Sequence, residues 1–300
     1  MKNLSEYFGG KSWAFYSSKD AMRSFESALQ IIDDTSERGL CNLYKVANEF
    51  DPEELAAWLC KHFDLFRLSL ERNAVARRRY APDPLNRTGE CTSCDDTNQK
   101  EKNLAKAIHR LWNTRPHRIF GRVLSYEIPL EPQLTEVKDD CKRAPENEPF
   151  EQKERKPNER LYPRGRIDLV SLRRSDLFIL ELKNEDSDES YIRCLLESYT
   201  YLKTIKRRSD FLQDMASISE TRSKPRRIVI CPLLFSNPKC KPNTQFESRG
   251  NWVRELEGFI SSDPDVNGVQ RYAFTPREEK RIFEEYNRIL SARHDPAASA

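Results

Sequence analysis

No run in this 300-residue chain approaches the roughly 18 consecutive apolar residues that a membrane-spanning helix needs, so a membrane protein is not expected. An excess of one charge sign is also missing: 51 Lys and Arg face 48 Asp and Glu, a formal net charge of +3. Such a balance argues against a polycation that grips DNA everywhere, while leaving room for a local basic surface. Nine glycines are too few for a collagen-like repeat, and eight cysteines are too sparse for a small disulfide scaffold. The opening MKNLSEYFGGKSWAFYSS has no basic segment followed by an apolar core, so no secretory signal is expected in it. A reducing cytoplasmic setting with free thiols is the expectation, or the nucleus if the cell is eukaryotic.

Several catalytic signatures are missing as well. Neither GxSxG nor HExxH occurs, which counts against the common serine hydrolases and zinc proteases. GGKS at residues 9–12 resembles the end of a phosphate-binding loop. The first glycine of that loop would fall on Ser5, and no strand precedes it, so ATP binding is rejected. Cys91 and Cys94 form a CxxC, which supplies two of the four ligands zinc requires. With no second pair at finger spacing, they read as two thiols in a polar loop. A zinc-stabilised interaction module is the alternative, decided by metal analysis of the purified protein.

What the chain does contain is ordered in three parts. Residues 1–98 read as a mainly helical region with a polar linker at 81–100. SSKDAMRSFESALQIID carries Met22, Phe25, Leu29 and Ile32 at helical spacing. In DPEELAAWLCKHFDLFRL, Asp51 suits the N-cap, Pro52 the first helical position, and Glu54 a capping box. Its apolar stripe is Leu55, Trp58, Leu59, Phe63 and Phe66, with His62 as a core-edge histidine.

Residues 99–240 form the second part. KEKNLAKAIHRLW reads as a helix buried through Leu104, Ile108, Leu111 and Trp112. GRVLSYEIPL, GRIDLVSL and DLFILELKN read as strands, with a polar insertion at 131–163. YIRCLLESYTYLKTI is a second helix, and RRIVICPLLF is a strand buried on both faces. The order is α-β-β-β-α-β, an α/β class with a mixed sheet flanked by helices. Residues 241–300 read as a helical extension packed on this core. They hold a helix around NWVRELEGFI, a strand at VQRYAF, and a last helix capped by Thr275-Pro276-Arg277-Glu278. No internal repeat is evident.

Chemistry concentrates in GRIDLVSLRRSDLFILELKNEDSDES. Glu181 and Lys183 are two apart in a strand and so project from one face, while Leu180 and Leu182 face the other way. SLRRSD is short enough for a hairpin that brings Asp168 beside Glu181. Two carboxylates converging beside a lysine in a buried sheet repel each other unless a cation neutralises them. Mg²⁺ or Mn²⁺, bound by such carboxylates, meets that need, and the lysine can then orient or help deprotonate a water. The bland reading of each residue is an ion pair: Asp168 with Arg164 or Arg166, and Glu181 with Lys183. The apolar LFILEL argues against an exposed edge.

With Asp168, Glu181, Leu182 and Lys183 in an αβββαβ order, the sequence resembles the PD-(D/E)XK nuclease superfamily over about residues 99–236. Ile167 stands where the usual proline precedes the Asp. The resemblance implies a restriction-endonuclease-like fold, a metal-dependent nuclease acting on nucleic acid, DNA before RNA, and Mg²⁺ or Mn²⁺ held by Asp168 and Glu181. It also implies a further glutamate on the first core helix. Glu101 matches best, since it shares a face with Leu104 and Ile108; Glu127 competes, and Glu101 can equally serve the helix dipole. A Gln and Tyr pair in some branches corresponds to Glu197 and Tyr201, both read as structural. Arg164, Arg166, Arg173, Arg174, Lys206, Arg207 and Arg208 are candidate phosphate contacts. A homodimer or protein partner is compatible with all of this. The rival expectation is a nuclease-fold protein without activity that binds nucleic acid or acts as an interaction scaffold.

Overall fold

Successive strands are neighbours in one sheet. In the computed structural model, the residues described are 43–71, 79–80, 100–131, 165–219, 225–247 and 251–294, apart from 50, 65, 69, 204, 206–207 and 238. Among them, six strands lie in chain order in one sheet: β1 (Arg79–Tyr80), β2 (Arg122–Glu131), β3 (Gly165–Arg173), β4 (Asp176–Lys183), β5 (Arg227–Leu234) and β6 (Tyr272–Ala273). Strands β1 to β4 pair antiparallel, and β4, β5 and β6 pair parallel. The sheet is therefore mixed, and the fold is α/β, as expected.

Helices cover both faces. They are α1 (Leu43–Val46), α2 (Pro52–Lys61), α3 (Lys100–Thr114), α4 (Tyr191–Lys203), α5 (Arg208–Ile218), α6 (Lys241–Glu247), α7 (Asn251–Ser262) and α8 (Pro276–His294). Strand β5 shows why two layers are needed. Ile228, Ile230 and Leu234 join one cluster with α2, α4 and α7, whereas Val229, Cys231 and Leu233 join another with α3 and α8. All six are buried. Each such side chain is worth roughly 1.5–3 kcal/mol over exposure, so neither face could be left to water. The described part of the N-terminal region, with Leu43, Tyr44, Leu55, Leu59, Phe63 and Phe66, shares the first cluster.

Local signals set the element ends. The Asp51 carboxylate accepts from the backbone N–H of Glu53 and of Glu54, at 2.9 and 3.1 Å, and starts α2. His62 is half-buried and stacks on Trp58, the core-edge role expected of it. At α8 the capping box is reciprocal: Glu278 N–H donates to Thr275 Oγ1 at 3.3 Å, and Thr275 N–H to Glu278 Oε2 at 2.8 Å. The β3–β4 hairpin closes through Arg174 and Ser175, and Arg174 takes φ +56°, as a two-residue turn demands. Gly121 has φ +73°, and a Cβ there would sit 2.2 Å from the Leu172 carbonyl oxygen, so only glycine fits.

Three expectations needed revision. Periodicity gives α3 one buried stripe, but burial runs continuously from Lys102 to His109, and α4 is likewise buried over most of its length. The cause is tertiary: α8 lies on the outer side of α3, and α1, α6 and α7 surround α4. Helix α5 begins inside a stretch read only for its charge. The strand expected at VQRYAF shrinks to Tyr272–Ala273 plus a bridge at Val269. The expected helix at 17–33, Cys91 and Cys94, and nearly all of the 131–163 insertion lie outside the described residues. No helix among the described residues is long and apolar enough to cross a membrane.

Candidate active site

Register assembles the site. Leu169 pairs with Leu180 across the β3–β4 hairpin, so the next pair along the same register is Asp168 opposite Glu181. The Leu182 N–H donates to Asp168 Oδ2 at 2.9 Å, which pins the carboxyl over the end of β4. Glu181 and Lys183 project together, and Lys183 Nζ lies 2.8 Å from Glu181 Oε1. Leu180 and Leu182 point to the opposite face, into the cluster with α3. Period-two alternation thus separates the charged pair from its apolar neighbours, as the sequence implies.

Helix α4 and its approach supply the remainder. Lys183 Nζ lies 2.7 Å from Glu189 Oε2 and 3.2 Å from Glu197 Oε2. The Tyr201 hydroxyl donates to Glu197 Oε1 at 2.6 Å, and Arg193 Nη2 contacts Glu189 Oε1 at 2.8 Å. Glu101 arrives from the other layer, where α3 begins. Its Oε1 accepts from the Asn184 backbone N–H at 3.1 Å and from the Asn184 amide at 3.4 Å. Glu127 stands on β2 with φ +49°, a sparsely populated conformation for a non-glycine, and accepts from Arg166 at 2.9 Å.

These groups carry surplus negative charge. Five carboxylates (Glu101, Asp168, Glu181, Glu189 and Glu197) act on two cations, Lys183 and Arg193. Burial raises the Asp168 pKa well above the usual carboxylate range, and Glu101, Glu127 and Glu197 add to the rise against the pull of Lys183. Burial likewise raises Glu181, reinforced by Asp168 and Glu197. Glu101 is raised by burial as well. Glu197 goes the other way: burial opposes ionisation, but the Lys183 ammonium and the Tyr201 hydroxyl hold its pKa below normal. Burial disfavours the Lys183 ammonium too, yet Glu181 and Glu197 keep it firmly protonated.

A second lysine cluster lies at the far end of α4. Lys203 Nζ is 2.7 Å from Glu71, 3.0 Å from Asp263 and 2.6 Å from Asp265. Among the described residues, Glu71, Asp263 and Asp265 are the group of three potential metal ligands whose ligand atoms all lie within 4.8 Å of one another. The Lys203 ammonium already lies among those oxygens. Glu101, Asp168 and Glu181 are not gathered so tightly. Their surplus charge and all-oxygen donor set nonetheless suit a hard divalent cation.

The candidate phosphate contacts scatter. Arg166 is exposed and engaged by Glu127. Arg173 and Arg174 sit at the hairpin turn, on the order of 20 Å along the strands from Lys183 at the usual rise per residue. Arg173 donates to the Ile119 carbonyl at 3.3 Å. Arg164, Lys206 and Arg207 lie outside the described residues, and of Arg208 only the backbone at the start of α5 is described.

Glu189 and Arg193 were not anticipated. Their signal was present, since Glu189 and Arg193 are four apart at the entrance to a helix, but NEDSDES reads first as a solvated acidic run. Of Glu197 and Tyr201, expected to be structural, Glu197 contacts Lys183 and Tyr201 holds Glu197. Comparison with family models, with curated proteins and with solved structures finds no match to this chain.

Proposed function

We propose that this chain is a metal-dependent nuclease of the PD-(D/E)XK type with a restriction-endonuclease-like core, acting on phosphodiester bonds of nucleic acid, DNA before RNA. The observation that carries the proposal is the convergence of Asp168, Glu181 and Lys183 on one face at the end of β4. The α-β-β-β-α-β order around them supports it.

Asp168 and Glu181 would hold Mg²⁺ or Mn²⁺, with Glu101 on the adjacent layer assisting. Bound there, the ion would supply Lewis acidity and a more acidic water. The protein's own groups set the remaining requirements. Lys183, kept protonated by its carboxylate neighbours, acts as a fixed positive charge facing phosphate oxygens rather than as a base. Glu197, kept ionised, holds Lys183 from the helix side, and the Tyr201 hydroxyl fixes Glu197. Asp168 keeps its orientation through the Leu182 N–H.

The test is incubation with plasmid and single-stranded DNA in Mg²⁺ or Mn²⁺, for wild type, Asp168→Ala and Lys183→Ala. Cleavage is expected from wild type alone; metal-dependent cleavage surviving both substitutions rejects the proposal. One observation favours a non-catalytic scaffold instead: Glu181 and Lys183 are only 2% and 3% exposed. DNA binding without cleavage by wild type would select that reading.

A further inference from the structure

Lys183 is enclosed by carboxylates. An ammonium offers three N–H groups, and three carboxylates stand within 3.2 Å of it. A lysine in that state cannot face a phosphate until one carboxylate leaves. Glu181 belongs to the same rigid strand two residues away. Glu197 sits on α4 and is tied to Tyr201. Glu189 alone comes from the connection between β4 and α4. Its side chain is 21% exposed, against 3% for Glu181 and 12% for Glu197, so it closes the solvent side of Lys183.

We propose that the acidic segment 184–190 is an autoinhibitory strap, with the Glu189 carboxylate occupying the place on Lys183 that a substrate phosphate takes when the strap opens. The inference rests on the nuclease reading and concerns the regulation of the same site. A carboxylate and a phosphodiester oxygen are both anionic acceptors for an ammonium, so they compete for one donor. The strap's outer anchors are suited to release. Lys100, itself half-buried, holds the part-buried Glu185 at 2.6 Å and the exposed Asp186 at 3.1 Å. Ion pairs of that kind are weak and weaken further with salt. Arg193, 2.8 Å from Glu189, holds the closed position and is freed together with Lys183 when Glu189 swings out. Opening therefore adds two cations to a site otherwise dominated by carboxylates.

The experiment is binding of a fluorescent DNA oligonucleotide in EDTA by fluorescence anisotropy, run beside the cleavage assay in Mg²⁺. The proteins are wild type, Glu189→Gln, Glu189→Gln with Lys183→Ala, and Lys100→Ala as an opening variant distant from Lys183. Glu189→Gln is expected to bind about tenfold more tightly, a gain that Lys183→Ala removes. Lys100→Ala is expected to shift binding in the same direction by about two- to threefold, through the weaker outer anchors. Equal or weaker binding by both Glu189→Gln and Lys100→Ala, with unchanged melting curves, overturns the strap. If Glu189→Gln melts early, Lys100→Ala decides. Tighter binding without cleavage by any protein keeps the strap and rejects the nuclease reading; cleavage by wild type with no gain in either variant does the reverse.

Discussion

Lys183 at the end of β4 and Lys203 at the end of α4 are both buried, and each touches three carboxylates. A tyrosine hydroxyl buttresses both, Tyr201 on Glu197 and Tyr199 on Asp263, each at 2.6 Å. The difference lies in what surrounds those contacts. At Lys203, Arg67 lies 3.4 Å from Glu71 and adds a second cation, while the Asp265 N–H donates to Asp263 at 2.8 Å. Three carboxylates face two cations there, with Asp64 on Arg67 as a fourth, and the cluster ties α4 to the turn after α7 and to Glu71. Around Lys183, with Glu101 and Asp168 counted, five carboxylates face two cations, and three of the five, Asp168, Glu181 and Glu101, resist ionisation. The tighter acidic group encloses a lysine; the surplus of carboxylates at the looser one is what the proposed metal would neutralise. Proximity of carboxylates alone does not mark a cation site; uncompensated charge does.

Substitutions can break this contrast. The largest effect is expected from Lys203→Met, which strands the buried Asp263 carboxylate beside the part-exposed Glu71 and Asp265 and should cost roughly 3 kcal/mol in urea unfolding while leaving cleavage per folded molecule intact. Lost cleavage at unchanged stability would reverse the two roles. Lys183→Met is expected to lower the metal-dependent cleavage rate at least about a hundredfold, read as kcat in single-turnover assays. A change confined to KM would show that Lys183 binds without stabilising charge in the transition state.

Asp168→Asn sharpens the charge argument. Its carboxyl has a pKa above the unfolded value, so the stability it contributes is complete below the ordinary carboxylate range and is lost as pH rises through the raised value. At neutral pH without metal, Asn should therefore stabilise the fold, by on the order of 1 kcal/mol. Wild type in EDTA should melt higher on mild acidification, and Asp168→Asn should lose part of that slope. Mg²⁺ should raise the wild-type Tm and leave the variant's nearly unchanged. An Asp168→Asn protein that melts lower than wild type in EDTA would remove the surplus-charge explanation.

The smallest effect concerns a carboxylate with the opposite sign. Burial would raise Glu278, but donors from Thr275, His117 and Tyr272 hold it down to about 2. Its contribution is present above the ordinary glutamate range and is lost as pH falls toward 2. Glu278→Gln should flatten that acid limb of the Tm profile, and Thr275→Ala should cost about 1 kcal/mol as a lost cap.

Much of this was legible locally. Asp51 with Pro52, and Thr275 with Glu278, mark helix starts because caps are short-range. LFILEL and RRIVICPLLF mark buried strands because apolar length is a local property. The ExK spacing put Glu181 and Lys183 on one face through the pleat alone. Glu189 and Arg193 escaped notice because an acidic run after a strand looks the same whether it is solvated or folded back. The near-complete burial of α3 and α4 escaped for a related reason: periodicity reports one face, and further faces are covered only when other helices arrive.

By itself, then, the chain determined the order of the core strands and of the longer helices around them, and the shared face of Glu181 and Lys183, since these follow from spacing within about fifteen residues. Tertiary structure decided the electrostatics. Whether a lysine meets three carboxylates or none depends on which helices cross above it. Whether those carboxylates ionise depends on water excluded by residues far away in sequence. Coulomb energy and desolvation scale with distances in space, and no spacing along the chain encodes them.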